Sequence, residues 1–375
     1  MTVKTRAKFD RAAFMRRHWQ REPLLIRGAF PGFVDPLGVR EVLALAGSGE
    51  ANSRLVVRRG RRWSVEHGPI PASRFKQLPR RDWTVLVQDT NHFSRAASEL
   101  LSRFDFIAHA RIDDVMVSYA VPGGGVGPHV DSYDVFLLQG HGTRRWSISR
   151  QHDLAFVPGL ELKILARFEA QSEWLLEPGD MLYLPPGVAH HGVAQSECLT
   201  WSIGFRASTD AELVQGFLDF LRDRLAPDGQ YRDPGEAPAR HPGEIPTRWM
   251  RHAAQALRSI RWSNGDVREF AGRFLSEPKA HVFFKPPARP LTRSQFERRA
   301  ARYGLALDPR SRLIFSGRMF FLNGDAAHVP ARARSAMRLL ADRRALDAPV
   351  VAPREFWDAA HAWYLRGLVK TGEVR

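Results

Sequence analysis

Two histidines and one carboxylate, carried by two distant segments, are the residues best suited to chemistry. Residues 127–131 contain a His-x-Asp pair, His129 and Asp131, and a Pro-Pro-Gly turn leads to His190, 59 residues after Asp131. Because alternate side chains of an extended segment share a face, His129 and Asp131 can point into one pocket. Two imidazoles and one carboxylate on one face of an octahedral metal are typical of non-haem Fe(II) sites with open positions. The pattern predicts a catalytic metal centre at these three residues.

A neighbouring histidine and a different metal are the alternatives to this ligand set. His191 competes with His190, and only one of the two can bind the metal, because adjacent side chains of an extended segment point to opposite faces. A structural zinc site normally uses four protein ligands, and the single cysteine, Cys198, excludes a multi-cysteine site. A His-x-Asp pair alone is a weak signal. The glycine-rich approach and the strands on both sides strengthen it.

Short strands separated by glycine and proline must position these ligands. Between Asp113 and Phe205, runs typical of strands cover residues 115–121, 133–139, 145–148, 173–176, 180–184 and 199–203. Many short strands at regular spacing predict a sandwich or barrel.

Helical patterns replace the strands after Arg206. Apolar residues at helical spacing cover 209–225, with Thr209 or Asp210 as N-cap, and the segment 248–275 also indicates helix. A linker rich in proline, glycine and charge lies between them at 226–247. The last hundred residues are basic and predict a hairpin over 311–322, then helices at about 331–346 and 353–370.

Composition restricts where the protein works and what it can bind. The chain has 375 residues, 44% of them hydrophobic, which predicts a globular protein with a large core. We find no apolar run suited to a signal peptide or a membrane span, so we expect a cytoplasmic protein with no membrane partner. The net charge of +16 favours polyanions such as nucleic acid. Arginines spread over solvated faces would explain the charge equally well.

Several short motifs follow one another along the first part of the chain. They are His18-Trp19-Gln20, Leu86-Val87-Gln88, Arg111-Ile112-Asp113-Asp114, Ser118 to Asp131, Tyr133-Asp134-Val135-Phe136, Arg144-Arg145-Trp146, Glu177-Pro178-Gly179-Asp180, Pro185-Pro186-Gly187 with His190, and Ser202 to Ala207. In their order, and nearly in their spacing, these motifs resemble those of the JmjC-type ribosomal oxygenases, and more narrowly the bacterial branch that hydroxylates an arginine of large-subunit ribosomal protein L-sixteen. The resemblance is dense over residues 14–225 and thin after about 280.

The resemblance implies which residues hold the metal and its co-substrate. His190, three residues beyond Pro-Pro-Gly, corresponds to the last iron ligand. Arg144, 15 residues beyond His129, corresponds to the basic residue that binds the distal carboxylate of 2-oxoglutarate, and a guanidinium is suited to that role because it pairs bidentately with a carboxylate. Ser118 corresponds to a further contact with 2-oxoglutarate. The alternatives are a surface arginine, since Arg145 lies beside Arg144, and a strand serine bonded to backbone.

Three further residues are expected to recognise a cationic target side chain. The resemblance places Asp114 where the family binds the substrate, and Tyr133, close to Asp131, can stack on or bond a guanidinium. Ser202 is expected to line the same pocket. The alternatives are a turn residue at the start of a strand for Asp114 and a core aromatic for Tyr133.

Together these expectations define an α+β protein with three regions. Residues 1–208 are expected to form a double-stranded β-helix (a cupin or JmjC barrel) with N-terminal helices. A helical dimerisation region with a linker is expected over 209–275, and a winged-helix-like domain over 276–375. The resemblance implies a homodimer, and the basic C-terminal region could touch ribosomal RNA, although a winged helix need not bind nucleic acid.

The function implied is protein hydroxylation that uses Fe(II), 2-oxoglutarate and dioxygen. The expected product carries a hydroxyl on the β-carbon of an arginine in a large-subunit ribosomal protein. Three alternatives remain open at this point. The first is a JmjC oxygenase that acts on another protein or on RNA, and the second is a non-catalytic, cupin-like binding or regulatory protein. The third is a metal-dependent isomerase on the same barrel, which would not need Arg144.

Overall fold

Two antiparallel sheets organise the first of the two units into which the chain divides, Met1–Ala207 and Ser208–Arg375. The computed structural model describes residues 9–225 and 228–371. The strands of the first unit are β1 (Leu24–Ile26), β2 (Ser53–Arg59), β3 (Arg62–His67), β4 (Trp83–Val87), β5 (Ile112–Ala120), β6 (His129–Val130), β7 (Asp134–Gln139), β8 (Arg144–Ser149), β9 (Ser172–Leu176), β10 (Met181–Leu184), β11 (Ala189–Ala194) and β12 (Cys198–Phe205). The large sheet has the order β1-β10-β7-β12-β5-β4-β2-β3, and the small sheet has the order β6-β11-β8-β9.

Alternation along the central strands gives the large sheet two different faces. Val117 and Tyr119 on β5, with Trp201 on β12, belong to a buried core that includes residues of the helices. The intervening residues, Ser118 on β5 and Ser202 on β12, are polar and buried on the opposite face. The helices of this unit are α1 (Arg11–Arg17), α2 (Val39–Gly47), α3 (Ala72–Lys76) and α4 (Arg95–Ser102). One face of the sheet is therefore closed by helices, and the other is left for a polar interior.

A second apolar cluster joins the two sheets. Val135 and Leu137 on β7 pack in it with Trp146 and Ile148 on β8. Burying side chains of this size stabilises a fold by about 1.5–3 kcal/mol each, so the two sheets are held as one barrel. Arg144 lies on the same strand face as Trp146, two residues earlier, and is buried as well. The expected double-stranded β-helix is confirmed, and it buries a cation at its inner surface.

The second unit begins with helices and contains others between its strands. They are α5 (Asp210–Arg222), α6 (Thr247–Ser259), α7 (Asn264–Ser276), α8 (Arg293–Tyr303), α9 (Arg334–Arg343) and α10 (Arg354–Leu365). Thr209 caps α5 as predicted, because its hydroxyl accepts a hydrogen bond from the Glu212 amide. The single helical segment expected over 248–275 is wrong: Ser263 caps a new helix at that point, and α6 ends before it.

Two small sheets complete the second unit. Their strands are β13 (Leu305–Leu307), β14 (Leu313–Ser316), β15 (Met319–Leu322), β16 (Asp325–Ala327), β17 (Ala345–Leu346) and β18 (Val369–Thr371). The orders are β17-β13-β18 and β14-β15-β16, and the predicted hairpin is confirmed as β14 and β15. Phe296, Phe320 and Phe356 lie in a core of this unit's own. Among the helices that the structure describes, none is long and apolar enough to cross a membrane.

Candidate active site

The predicted ligands converge at the junction of two short strands. His129 on β6 pairs in register with His190 on β11, and their ring centroids are 4.2 Å apart. Asp131 follows just after β6, with its Oδ2 atom 4.0 Å from His129 Nε2 and 3.6 Å from His190 Nε2. Over residues 9–225 and 228–371, these three form the only group of His, Cys, Asp or Glu close enough to share a metal ion.

Backbone contacts orient both imidazoles toward this point. The Nδ1 atom of His129 lies 3.0 Å from the Gly127 carbonyl, and that of His190 lies 3.0 Å from the Val188 carbonyl. Because Nδ1–H donates to these carbonyls, each Nε2 keeps a lone pair for a metal. Burial, and then the neighbouring His129, lower the pKa of His190 to about 4. His190 is therefore neutral at pH 7, which is the form that binds a metal.

The choice between the two adjacent histidines follows from strand alternation. His190 is buried and faces His129, with the Trp146 ring 5.9 Å from its own ring. His191 points elsewhere, where it meets Phe168 edge-on. The turn before them is tied to the third ligand, since the Gly187 amide donates to the Asp131 carbonyl at 2.9 Å. Within the extended segment 127–131, only His129 and Val130 form a strand, and Asp131 lies just beyond its end.

A cavity of about 340 Å³ adjoins the three ligands, and Arg144 lies in its wall. The Nη1 atom of Arg144 donates to Ser118 Oγ at 3.2 Å. The neighbouring Arg145 points outward and donates to Glu173 at 2.8 Å. Among the described residues, nothing bonds to the buried Nε and Nη2 atoms of Arg144 or to the buried Nε1 of Trp146. Buried donors without acceptors are costly, so this wall is arranged for a ligand that is rich in oxygen.

Glycines bring backbone close to this cavity from the segment before His129. A Cβ on Gly124 would lie 2.0 Å from the Trp83 carbonyl oxygen, and one on Gly125 would lie 2.3 Å from the Gly192 carbonyl oxygen. Any side chain at these positions would collide with backbone. The glycine-rich sequence is therefore a packing requirement of the barrel next to the ligands.

Of the three residues predicted to bind substrate, two line the cavity. Tyr133 and Ser202 are in its wall, whereas Asp114 lies behind them, where its Oδ2 accepts from the Asp89 amide at 3.1 Å. Asp114 is nevertheless near Tyr133, because both side chains lie against Gly204. A Cβ atom added to that glycine would lie 3.5 Å from the Asp114 carboxylate and 3.8 Å from the Tyr133 ring. Burial, and then the nearby carboxylates, raise the pKa of Tyr133, so its hydroxyl stays protonated.

Sequence reasoning missed three residues at the edge of the cavity. Arg54 on β2 lines it, as do Glu161 and Lys163 from the connection between β8 and β9. These positions are far apart in sequence and belong to no motif. Arg54 could have been identified from its position among the inward-facing residues of β2, but which residues of β2 face inward is known only once the strand register is known.

The arrangement fits a divalent metal together with a carboxylate-bearing ligand. Two imidazoles and one carboxylate supply half of an octahedral set and leave positions for other ligands. The unpaired guanidinium of Arg144, within the same cavity, is suited to a carboxylate that such a ligand would carry.

Comparisons with known proteins agree with this geometry. A family model described as JmjC domain matches residues 99–213, and one described as ROXA-like winged helix matches residues 259–370. The ribosomal protein uL16 3-hydroxylase of Escherichia coli is 36% identical over 278 residues, which cover 74% of this chain and 74% of that protein. The probable ribosomal oxygenase of Haemophilus influenzae is 38% identical over 207 residues, 54% of this chain and 51% of that protein.

Solved structures extend the likeness over nearly the whole chain. The X-ray structure of E. coli YcfD has a TM-score of 0.84 and 32% identity, covering 96% of this chain and 98% of that one. A structure of the same ribosomal oxygenase in complex with cobalt and 2-oxoglutarate has a TM-score of 0.82 with the same identity and coverage. The predicted barrel and winged helix are thus confirmed. The domain boundaries at 208 and 275 and the dimerisation role stay predictions.

Proposed function

The chain belongs to the family of JmjC ribosomal oxygenases, and from this premise we propose that it hydroxylates an arginine of ribosomal protein uL16 at the β-carbon. It is a 2-oxoglutarate-dependent oxygenase in which Fe(II) is the metal cofactor, and 2-oxoglutarate and dioxygen react with the protein substrate. Since its substrate would be a ribosomal protein, the enzyme would act in the cytoplasm.

The metal is assigned to three atoms. His129 Nε2, His190 Nε2 and one carboxylate oxygen of Asp131 would hold Fe(II). When bound, the metal would supply the redox chemistry by which dioxygen oxidises a C–H bond to C–OH and 2-oxoglutarate to succinate and carbon dioxide. The chain's contribution is to fix the ligands, since the Gly127 and Val188 carbonyls hold both rings in place.

Arg144 and Ser118 are assigned to the far carboxylate of 2-oxoglutarate. Arg144 brings a full positive charge into a buried wall where no described carboxylate pairs with it, and its contact with Ser118 Oγ orients the guanidinium. Trp146, beneath the guanidinium at 5.8 Å, limits its movement. A dianion would satisfy these donors and be held in one orientation.

Asp114, Tyr133 and Ser202 are assigned to the target side chain. The Asp114 carboxylate adds negative potential near Tyr133, which favours a guanidinium over a neutral side chain. Tyr133 offers a ring face and a protonated hydroxyl, and Ser202 offers a second hydroxyl. Holding the target carbon near the metal would select the position that is hydroxylated.

One observation carries this proposal: the three ligands and an unpaired buried guanidinium face the same cavity. A binding module would gain nothing from both, and an isomerase would not need the guanidinium.

The test is mass spectrometry of recombinant uL16 incubated with the protein, Fe(II), ascorbate and 2-oxoglutarate, beside a His129→Ala control. The expected result is a gain of one oxygen atom on an arginine-containing peptide that requires 2-oxoglutarate and is absent in the control. Consumption of 2-oxoglutarate without that gain would discard uL16 as substrate. No consumption at all would favour a binding protein.

We also propose that the chain forms a homodimer through its helical region. Val214 and Leu218 lie one turn apart on α5, and Met250 and Leu257 lie two turns apart on α6; all four are more than half exposed. Apolar residues at such spacing are typical of helices that pack against a partner. Analytical ultracentrifugation should find a dimer that Leu218→Glu with Leu257→Glu converts to a monomer, and a monomeric wild type would contradict it.

Ribosomal RNA is the remaining partner that we propose. Residues 281–375 contain 18 Lys and Arg against 8 Asp and Glu, and Arg298, Arg299 and Arg302 on α8 are exposed. Contacts of this kind are made to phosphates and weaken steeply with salt. Fluorescence polarisation with a ribosomal RNA fragment should give salt-dependent binding that Arg298→Glu with Arg299→Glu weakens; unchanged affinity would rule out this helix.

A further inference from the structure

A row of side chains crosses the inner face of the large sheet and ends at the rim of the cavity. The strand register places Ser118 beside Leu86, Leu86 beside Arg54, and Arg54 beside His67. Directly opposed residues on antiparallel strands project to the same face. The row therefore runs outward from Ser118 to the edge strand β3, and the buried Leu86 separates Ser118 from Arg54.

The connection between β8 and β9, residues 150–171, borders the cavity on this side, and we call it the strap. Its Leu165 amide donates to the Pro128 carbonyl at 2.8 Å, next to the metal ligand His129. Its Glu161 carboxylate lies 2.5 Å from His67 Nε2, at the end of the row. The strap is thus tied both to the segment that carries the metal ligands and to the edge strand.

Arg54 is the half-buried cation of this rim, whereas Lys163 is exposed to solvent. Arg54 lines the cavity, and within the described parts of the chain its side chain forms no hydrogen bond or ion pair. Glu161 is the carboxylate in the cavity wall on this side, and it is already bonded to His67. A guanidinium has five N–H donors, and those that lose water on ligand binding must find acceptors on the ligand.

We propose that Arg54 is a specificity-determining residue that donates hydrogen bonds to a backbone carbonyl of the polypeptide substrate, beside the residue that is hydroxylated. The inference rests on the proposed function. Leu86 separates Arg54 from the Ser118 anchor, so a co-substrate held there has no need of it. A polypeptide that enters the cavity past Arg54 offers a carbonyl at every residue.

The test compares Arg54→Gln with Arg59→Gln, a matched control at the exposed end of the same strand. Fluorescence polarisation measures the affinity of a labelled uL16 peptide for protein loaded with Fe(II) and 2-oxoglutarate without dioxygen, so that no turnover occurs. We expect Arg54→Gln to weaken peptide binding by about ten- to a hundredfold. Calorimetry should show that its affinity for 2-oxoglutarate changes by less than about threefold. The Arg59→Gln protein should match the wild type in both measurements.

Other outcomes would overturn the assignment. Unchanged peptide affinity in Arg54→Gln, or weakened binding of 2-oxoglutarate with peptide binding intact, would show that Arg54 does not hold the substrate. Melting curves identify a variant that fails to fold, and Arg54→Lys, which keeps the charge but not the fork of donors, then supplies the comparison. Failure of the wild type to hydroxylate uL16 would instead contradict the proposed function. A peptide whose Asp and Glu residues are replaced by Asn and Gln tests the acceptor. If this peptide no longer binds the wild-type protein, the acceptor is a side-chain carboxylate of the substrate and not a backbone carbonyl.

Discussion

The two units of the chain treat a buried charge in opposite ways. In the barrel, Arg144 is 5% exposed, and the described residues give it a hydroxyl but no carboxylate. In the C-terminal unit, Asp308 is fully buried and accepts from Arg310 at 2.7 Å, and Lys370 Nζ lies 2.8 Å away. A buried charge is stable when it is paired and costly when it is not. We infer from this contrast that the charge of Asp308 stabilises the fold, whereas the charge of Arg144 binds a ligand after the protein has folded.

The largest effect expected in the barrel is the loss of a metal ligand. His190→Ala should reduce hydroxylation of uL16 by more than about a hundredfold, beyond what outer contacts of a metal site usually contribute. His191→Ala, its neighbour on the opposite strand face, should keep activity within about threefold. Cobalt absorption spectra check the ligand set directly. Comparable losses of cobalt binding in both variants would mean that alternation does not separate the two histidines.

In the C-terminal unit the corresponding change should affect stability. Asp308→Asn removes the charge that Arg310 and Lys370 share, and breaking a buried pair costs about 3 kcal/mol, the low end of the usual range because Lys370 is largely exposed. Urea denaturation measures the loss. The affinity of the barrel for 2-oxoglutarate should not change, and a parallel loss of that affinity would blur the distinction between the two units.

Acid should affect the same carboxylate with a defined sign. Burial alone would raise the pKa of Asp308, but hydrogen bonds from Arg310 and Lys370 outweigh it and lower the pKa to about 2. A carboxyl with a lowered pKa stabilises the fold above its unfolded pKa, and this stability, at most roughly 2 kcal/mol, is lost as pH falls from about 4 toward 2. Melting curves over that range should lose part of their pH dependence in Asp308→Asn. An equal slope in both proteins would disprove the pairing.

The smallest expected effect is a gain in stability. Arg144→Met removes an unpaired buried charge and keeps the apolar volume, so the free energy of unfolding of the metal-free protein should rise by about 1 kcal/mol. Differential scanning calorimetry with the metal and 2-oxoglutarate removed measures this change. A decrease in stability would indicate that Arg144 has an internal role in folding.

Local periodicity made much of the barrel and its metal ligands predictable. The two histidines and Asp131 are found near tight turns, and alternation sends Arg144 inward and Arg145 outward. The same rule states that only one of His190 and His191 can face the metal. Alternation alone did not say which member of each pair points inward; the resemblance to the family implied His190 and Arg144.

Long-range contacts could not be predicted in this way. The rim of the cavity depends on Arg54, His67 and Glu161, which meet only because β2 pairs with β3 and the strap folds back over the sheet. The Asp114 carboxylate bonds the Asp89 amide, and no pattern in the sequence joins those positions. The break before α7 did have a local signal, since Ser263 and Asp266 form a capping box.

The contrast between the two units depends most on whether the Arg144 guanidinium awaits 2-oxoglutarate. Isothermal titration of 2-oxoglutarate into anaerobic, Fe(II)-loaded protein, with Arg144→Met beside Arg145→Met, measures this directly. Truncating one partner of a buried charge pair costs upwards of 2 kcal/mol, so Arg144→Met should weaken binding at least about thirtyfold, and Arg145→Met should bind like the wild type. Equal affinity in all three proteins would contradict the account.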